Sequence, residues 1–284
     1  MKVLVMGATG LLGSNLMAVL DERNISFVGS IRESSNTKGF RESIFKELAL
    51  INNIFDYQVL KEYIDFHEPN IIVNCLSMPA KNFKSASFKS FIDIYSSVPV
   101  MLRSICSIKK IKYIHISSDG VFSGKNGPYT ETDVPDPQDY YGHAKLFGEV
   151  GAEFGIAIRT SIIGHSLTNH SGLLDWFLSQ KDSCVGFSDY IFSGLTAREL
   201  SKIIIDYLLK ESPLKGVINI GGPIISKYDL LDKISKVYNK KIKIEKKQGD
   251  RVNRALDSSK FIEMSGYKQT SWELMLADTK KNQF

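Results

Sequence analysis

Cysteine is scarce: Cys75, Cys106 and Cys184 are the only thiols in 284 residues. Their odd count and their spacing exclude a disulfide framework and a cysteine metal site, leaving reduced, mostly buried thiols. Histidine offers little more. His67 and His115 fall in a predicted helix and a predicted strand. His165 and His170 lack the helical spacing and the carboxylate companion of a zinc motif, so no metal is expected. Asp175 and Glu199 read as lone carboxylates, which sets aside hydrolysis by a carboxylate pair. No run approaches the ~18 apolar residues of a membrane span. The apolar start Met1-Lys2-Val3-Leu4-Val5-Met6 meets Gly7 too soon for a signal-peptide core, so no membrane contact is expected and the cytoplasm is the default location. Internal repeats, low-complexity tracts and Pro/Gly-rich linkers are all missing.

What the chain does have is apolar bulk and a modest positive balance. With 43% apolar residues it can bury one substantial core, or a nucleotide-binding domain plus a small cap. Part of the net charge of +5 lies in Lys240, Lys241, Lys243, Lys246, Lys247, Arg251 and Arg254. No aromatic residues are interleaved there and no nucleic-acid motif precedes the run, so nucleic acid is not an expected partner. A solvated edge strand studded with lysines against stray pairing accounts for it better, with one or two of these cations left to meet a nucleotide diphosphate.

Short β-type runs alternate with helical stretches. Residues 2–6, 26–31, 71–75, 112–117, 156–159 and 217–220 read as strands, with helices near 11–23, 57–67, 88–107 and 140–154. The alternation predicts an α/β fold with a doubly wound, Rossmann-like parallel sheet and a smaller, interleaved substrate-binding cap. The unbroken apolar runs Val3-Leu4-Val5-Met6 and Ile71-Ile72-Val73 suit strands covered on both faces. The expected division is a dinucleotide-binding domain over 1–160, to which 196–222 return, and a cap over most of 161–284. Ligands of such sheets lie beyond the carboxyl ends of the strands, and Gly7, Arg32, Leu76-Ser77, Ser117-Ser118 and Thr160-Ser161 all follow directly after predicted strands.

Three constellations carry chemistry. Gly7-Ala8-Thr9-Gly10-Leu11-Leu12-Gly13 stands between the first strand and the first helix, where backbone N–H groups bind pyrophosphate and glycine permits close approach. At the end of the second strand, an acid would select NAD by accepting from the ribose 2′-hydroxyl. Ser30-Ile31-Arg32 stands there instead and suits a 2′-phosphate, so NADPH is expected, with nearby Glu33 keeping NADH open. Tyr141 and Lys145, four apart, share a helical face on which an ammonium lowers the phenol's pKa, and a phenol so tuned can trade a proton with a carbonyl or alcohol. Ser118, from a separate strand end, is positioned to hold the same substrate oxygen. Tyr140 has no lysine on its own face, and His143, two positions from Tyr141, points elsewhere.

In this order the residues resemble the extended short-chain dehydrogenase/reductase family, and within it the dTDP-4-dehydrorhamnose reductase-like sugar-nucleotide reductases. The likeness covers nearly the whole chain and is most specific over 116–124, 127–133, Pro137 and 141–149. It implies Tyr141 as proton donor, Lys145 as ribose anchor and pKa modulator, and Ser118 as the carbonyl's hydrogen-bond partner. It also implies cofactor contacts at Gly7, Thr9, Gly10, Leu11, Leu12, Arg32, Asp56, Leu76 and Ser77 besides Tyr141 and Lys145, Asp56 being similar to the aspartate that meets the adenine amino group. Substrate contacts are implied at Ser118, Asp119, Phe122 and Arg254. The chain departs from the subfamily around the sugar. Gly120 stands where a tyrosine is usual, Ser193-Gly194-Leu195-Thr196 replaces a Gly-x-Pro-Thr-like segment, and Leu76-Ser77-Met78-Pro79 replaces Ala-Ala-Tyr-Thr. The expected activity is NADPH-dependent reduction of a nucleotide-linked 4-keto deoxysugar for surface polysaccharide. The alternatives are an epimerase or dehydratase of the same family that regenerates bound NAD, and a non-catalytic NADP-binding regulatory subunit such as the family's partner of methionine adenosyltransferase. A homo-oligomer is compatible with all three.

Overall fold

A computed structural model describes residues 1–78, 86–167, 172–210 and 213–283, so Pro79 and His170 lie outside the described residues. The strands are β1 (Lys2–Met6), β2 (Ser26–Ile31), β3 (Leu48–Leu50), β4 (Ile71–Asn74), β5 (Lys112–Ile116), β6 (Ile156–Arg159), β7 (Ile162–Ile163), β8 (Ser183–Phe187), β9 (Tyr190–Phe192), β10 (Leu195–Thr196), β11 (Gly216–Asn219), β12 (Ile225–Ser226), β13 (Lys243–Lys247) and β14 (Val252–Asn253). The helices are α1 (Leu11–Glu22), α2 (Glu42–Phe45), α3 (Tyr57–His67), α4 (Phe88–Ile92), α5 (Val98–Lys109), α6 (Tyr140–Gly148), α7 (Leu173–Ser179), α8 (Ala197–Ile203), α9 (Lys227–Tyr238), α10 (Ser259–Ser265) and α11 (Trp272–Lys281).

Seven strands form one parallel sheet in the order β11-β6-β5-β4-β1-β2-β3. The strand order reverses between β1 and β4, and the crevice above that point is where a doubly wound sheet binds its ligands. Alternation along β1 supplies both faces. Val3 and Val5 pack with Leu16, Met17 and Leu20 of α1 and Leu200 of α8, while Leu4 and Met6 pack with Leu60 and Ile64 of α3 and Leu102 of α5. After the cap begins, α8 returns to lie along α1, tied by the Arg198 guanidinium to Glu22 at 2.6 Å and Asp278 at 3.1 Å, and β11 pairs with β6. Edge strand β3, three residues long, was not expected. The remaining strands make small sheets, β12-β9-β14, β10-β7 and β13-β8, and Lys243, Lys246 and Lys247 lie along β13 at the margin of the last.

One feature of the α4–α5 run positions the site. Pro99 has no N–H to give the Tyr95 carbonyl, and the helix runs as a π turn over Asp93–Ser97 before α5. A Cβ on Gly148 would lie 2.2 Å from that Tyr95 oxygen, so glycine lets α6 settle directly on the turn. Among the described residues this Phe88–Lys109 run is long and apolar enough to cross a membrane by length and composition alone. Half of it is buried in the fold, with Val98, Leu102, Ile105 and Cys106 in the core.

Candidate active site

At the end of β1 the chain turns into α1 through Thr9 and Gly10. A Cβ on Gly13 would lie 2.2 Å from the Gly7 carbonyl oxygen, so the loop closes this tightly only with glycine there. Gly10 is the N-cap of α1 and no side chain caps the helix. The first-turn N–H groups, those of Leu11 and Leu12 among them, are therefore left without intrahelical partners at the positive end of the helix dipole, a cradle for pyrophosphate. Leu76 forms the opposite lip, its Cα 3.1 Å from where a Cβ on Gly7 would sit. Asp56 caps α3, its Oδ1 accepting from Gln58 N at 2.8 Å and Val59 N at 3.1 Å, and remains exposed. Ser30 differs from its expected place beside Arg32. It is buried, and its hydroxyl accepts from Gly7 N at 3.0 Å, bracing the loop from below. Arg32 alone occupies the rim, exposed and without an ion pair among the described residues. A glycine cradle, uncapped amides and a rim guanidinium fit a dinucleotide bearing a 2′-phosphate.

Asp139 starts α6 by accepting from Gly142 N at 2.7 Å, which sets Tyr141 and Lys145 on the face turned to β5. The Tyr141 ring and the Ser118 hydroxyl meet across Gly120, and Ser118 Oγ accepts from Gly120 N at 3.0 Å. Lys145 is buried beneath them, its Nζ donating to the Ile116 carbonyl at 2.7 Å and lying 4.7 Å from the Tyr95 ring centroid and 5.9 Å from that of Tyr141. The expected acidification of the phenol by this ammonium is not what the structure gives. Burial pushes the Tyr141 phenol up, Tyr95 and Asp119 add to the shift, and only the Ser118 hydrogen bond opposes it. Burial likewise lowers the Lys145 ammonium to about 8. The reason is geometric: the ammonium is committed to a carbonyl and to Tyr95, whose ring meets Tyr141 edge-on at 5.2 Å. Sequence reasoning missed Tyr95, which comes from a distant turn and whose hydroxyl accepts from Met78 N at 2.8 Å and bonds Ser77 Oγ at 3.1 Å.

Asp119 follows Ser118 and is half-buried, its Oδ1 accepting from Ser118 Oγ at 3.2 Å. Burial raises its carboxyl to about 6 against the pull of Arg254 and Lys227. Lys227 and Tyr190 were not anticipated. The Lys227 Nζ sits 3.5 Å from the Tyr190 ring centroid, and the Arg254 charge acts on the Tyr190 phenol against the burial that raises it. A Cβ on Gly120 would lie 3.2 Å from Ser118 Oγ and 3.3 Å from the Tyr141 ring, so the missing side chain leaves that corner open. Phe122 does not line this space. It is fully buried, stacked on Tyr129 at 4.1 Å with the Arg159 guanidinium 5.0 Å from its ring. Tyr140 is exposed against Phe88, and His143 is exposed beside the Asp139 carbonyl at 2.8 Å.

Two carboxylates taken as lone have partners. Asp175 meets His165 Nδ1 at 2.7 Å, with Tyr238 hydroxyl on Nε2 at 2.9 Å, and Glu199 accepts from Tyr267 at 2.9 Å and Thr270 at 2.6 Å. Cys75, Cys106 and Cys184 are free and buried. Among the described residues no group of three or more His, Cys, Asp or Glu is assembled to hold a metal ion.

A family model described as the RmlD substrate binding domain matches residues 1–180. The probable low-salt glycan biosynthesis reductase Agl14 of Haloferax volcanii is 26% identical over 217 residues, 75% of this chain and 66% of its own length. Methionine adenosyltransferase 2 subunit beta of Rattus norvegicus is 31% identical over 148 residues, 52% of this chain and 41% of its own length. The chain thus matches less than two thirds of the length of either relative. Among solved structures, dTDP-4-dehydrorhamnose reductase from Bacillus anthracis in complex with NADP superposes with a TM-score of 0.78 at 19% identity, covering 99% of this chain and 98% of that one, a likeness of fold.

Proposed function

The chain belongs to the RmlD substrate binding domain family, and on that footing we propose that it is a cytoplasmic NADPH-dependent reductase of a nucleotide-linked 4-keto deoxysugar. Residues 1–160, with 196–222, hold the dinucleotide, and the rest of the chain closes over the sugar nucleotide. The observation that carries the reading is the convergence of Ser118, Tyr141 and Lys145 beside a glycine cradle that fits a dinucleotide. Bound reduced nicotinamide supplies the hydride. Ser118 and Tyr141 hold the substrate carbonyl oxygen, and Tyr141 gives it a proton. A phenol kept protonated by burial suits donation, and therefore reduction, better than abstraction. Gly7, Thr9, Gly10, Leu11 and Leu12 hold the pyrophosphate, Arg32 the 2′-phosphate, Asp56 the adenine, Leu76 and Ser77 the far side of the dinucleotide, and Lys145 the ribose. Asp119 and Arg254 face the sugar nucleotide. The reductase names among the relatives support this reading. The rat relative favours a second one, a regulatory subunit, against which the assembled Ser118, Tyr141 and Lys145 weigh.

Purified protein supplied with NADPH and a panel of nucleotide 4-keto sugars should oxidise one NADPH per alcohol formed. Product without net oxidation would mean an epimerase, and no turnover on any member of the panel would favour the regulatory reading. Arg32→Asp should weaken NADPH binding about tenfold or more, the worth of a charge-assisted hydrogen bond, while sparing NADH. Equal loss for both cofactors in fluorescence titrations would remove Arg32 from the 2′-phosphate. Lys145 carries its charge below about 8, so NADPH affinity should fall as pH rises through that value and stay level below it. Lys145→Met should abolish the dependence.

A further inference from the structure

The Tyr141–Lys145 pair and the lip of the dinucleotide groove at Leu76 come from separate parts of the chain, α6 and the segment after β4, and their spacing has to be held by a third element. Tyr95 touches both. It stands in the middle of the π turn, which is fastened to α6 at two points: Ser96 Oγ donates to the Ala144 carbonyl at 2.8 Å, and Gly148 leaves room for α6 to rest on the Tyr95 carbonyl. The Tyr95 side chain is fully buried, so it acts only through its neighbours. Its hydroxyl accepts from Met78 N at 2.8 Å and shares a hydrogen bond with Ser77 Oγ at 3.1 Å. Its ring meets Tyr141 edge-on at 5.2 Å and lies 4.7 Å from Lys145 Nζ. We propose that Tyr95 is a positioning residue, its hydroxyl fixing Ser77 and Met78 beside the lip and its ring fixing the Tyr141–Lys145 pair, so that groove and proton donor keep one spacing. This rests on the reductase reading.

The two halves of the side chain hold different things. Close to β4 the segment is tied by Cys75 N to the Met6 carbonyl at 3.0 Å and by Leu76 N to Asn74 Oδ1 at 3.2 Å. At Ser77 and Met78 the Tyr95 hydroxyl takes over, and without it the buried Met78 amide loses its acceptor and the segment its hold. The ring holds the Lys145 ammonium by cation–π attraction and Tyr141 by an edge-on aromatic contact, with Phe91 stacked at 6.1 Å to keep the ring itself in place. Phenylalanine at this position keeps the ring and drops the hydroxyl, whereas leucine drops both, so substitution separates the two contributions.

The test titrates NADPH into Tyr95→Phe and Tyr95→Leu by fluorescence and measures their steady-state rates with NADPH and a thymidine-diphosphate 4-keto-6-deoxyhexose. Tyr95→Phe should raise the Kd for NADPH by about tenfold, as expected for one buried amide left without its acceptor, with a smaller loss in kcat. Tyr95→Leu should raise the Kd further, because Lys145 is freed, and lower kcat by about tenfold or more, because Tyr141 is freed. Calorimetry on the same samples separates placement from stability. A lowered Tm in both variants, with Kd and kcat at their wild-type values, would make Tyr95 a core residue and nothing more, which overturns the proposal. Tyr95→Leu no worse than Tyr95→Phe in either quantity also overturns it, since the ring would then position nothing. Wild-type protein that binds NADPH and never oxidises it would instead count against the reductase reading, and the order of the Kd values, wild type below Tyr95→Phe below Tyr95→Leu, would still decide the positioning.

Discussion

Tyr141→Phe should lower kcat by about 10²- to 10⁴-fold and leave the Kd for NADPH nearly unchanged, because it removes the donated proton and little else. The ring stays. Its edge-on contact with Tyr95 at 5.2 Å is made by carbon atoms that phenylalanine keeps, so α6 should not shift. The glycine cradle at β1 is held by Ser30 from below and by the Gly7–Gly13 contact, neither of which involves α6. Steady-state rates with the true sugar nucleotide, paired with a fluorescence titration of NADPH, separate the two effects. Normal turnover by the variant would dismiss Tyr141 as the acid. Loss of NADPH binding in parallel with kcat would mean that the phenol belongs to the cofactor site rather than to the reacting carbonyl.

The sheet could be read ahead of the structure because its central strands carry unbroken apolar runs, and because five of the sites that follow them hold polar or glycine residues. β3 escaped that reading: three residues at a sheet edge carry too little pattern. The cap escaped it too, since β7, β10, β12 and β14 are two residues each and are held by pairing across long sequence separations. In the site, Ser118, Tyr141 and Lys145 were legible from their order and spacing, whereas their electrostatics were not. Spacing reports that two side chains share a face. It does not report that a third ring, Tyr95, packs against both, nor that burial dominates in setting the phenol. The pairing of His165 with Asp175 was hidden for a related reason, because the two stand ten positions apart in the chain. Phe122 was misread because a residue three positions along a turn from Asp119 need not face the same way, and Arg159 and Tyr129 enclose it.

Glu149→Ala should cost about 3–5 kcal/mol of stability, the penalty for stranding one partner of a buried ion pair. Glu149 and Arg159 have side chains only 5% exposed, and Arg159 reaches both carboxylate oxygens, Nε at 3.0 Å to one and an Nη at 2.7 Å to the other. The Ser117 hydroxyl donates to the same carboxylate at 2.6 Å. Alanine would leave the guanidinium uncompensated against the face of Phe122, 5.0 Å away, and would disturb the Phe122–Tyr129 stack whose tyrosine hydroxyl accepts from Gly124 N at 3.1 Å and Asn126 N at 3.0 Å. The loop behind Ser118 therefore hangs on this pair. Against a typical total of about 5–15 kcal/mol the loss is severe, and calorimetry should show Tm falling by roughly 6 °C or more. Glu149→Gln, which keeps the volume and an acceptor for Ser117, should lose less. Replacing both partners, Glu149→Leu with Arg159→Met, should recover most of what the alanine variant loses, because an apolar pair of similar volume carries no desolvation penalty. A loss near the ~0–1 kcal/mol of an exposed pair would mean that water reaches the guanidinium when the carboxylate is gone, and that the stack stands without it.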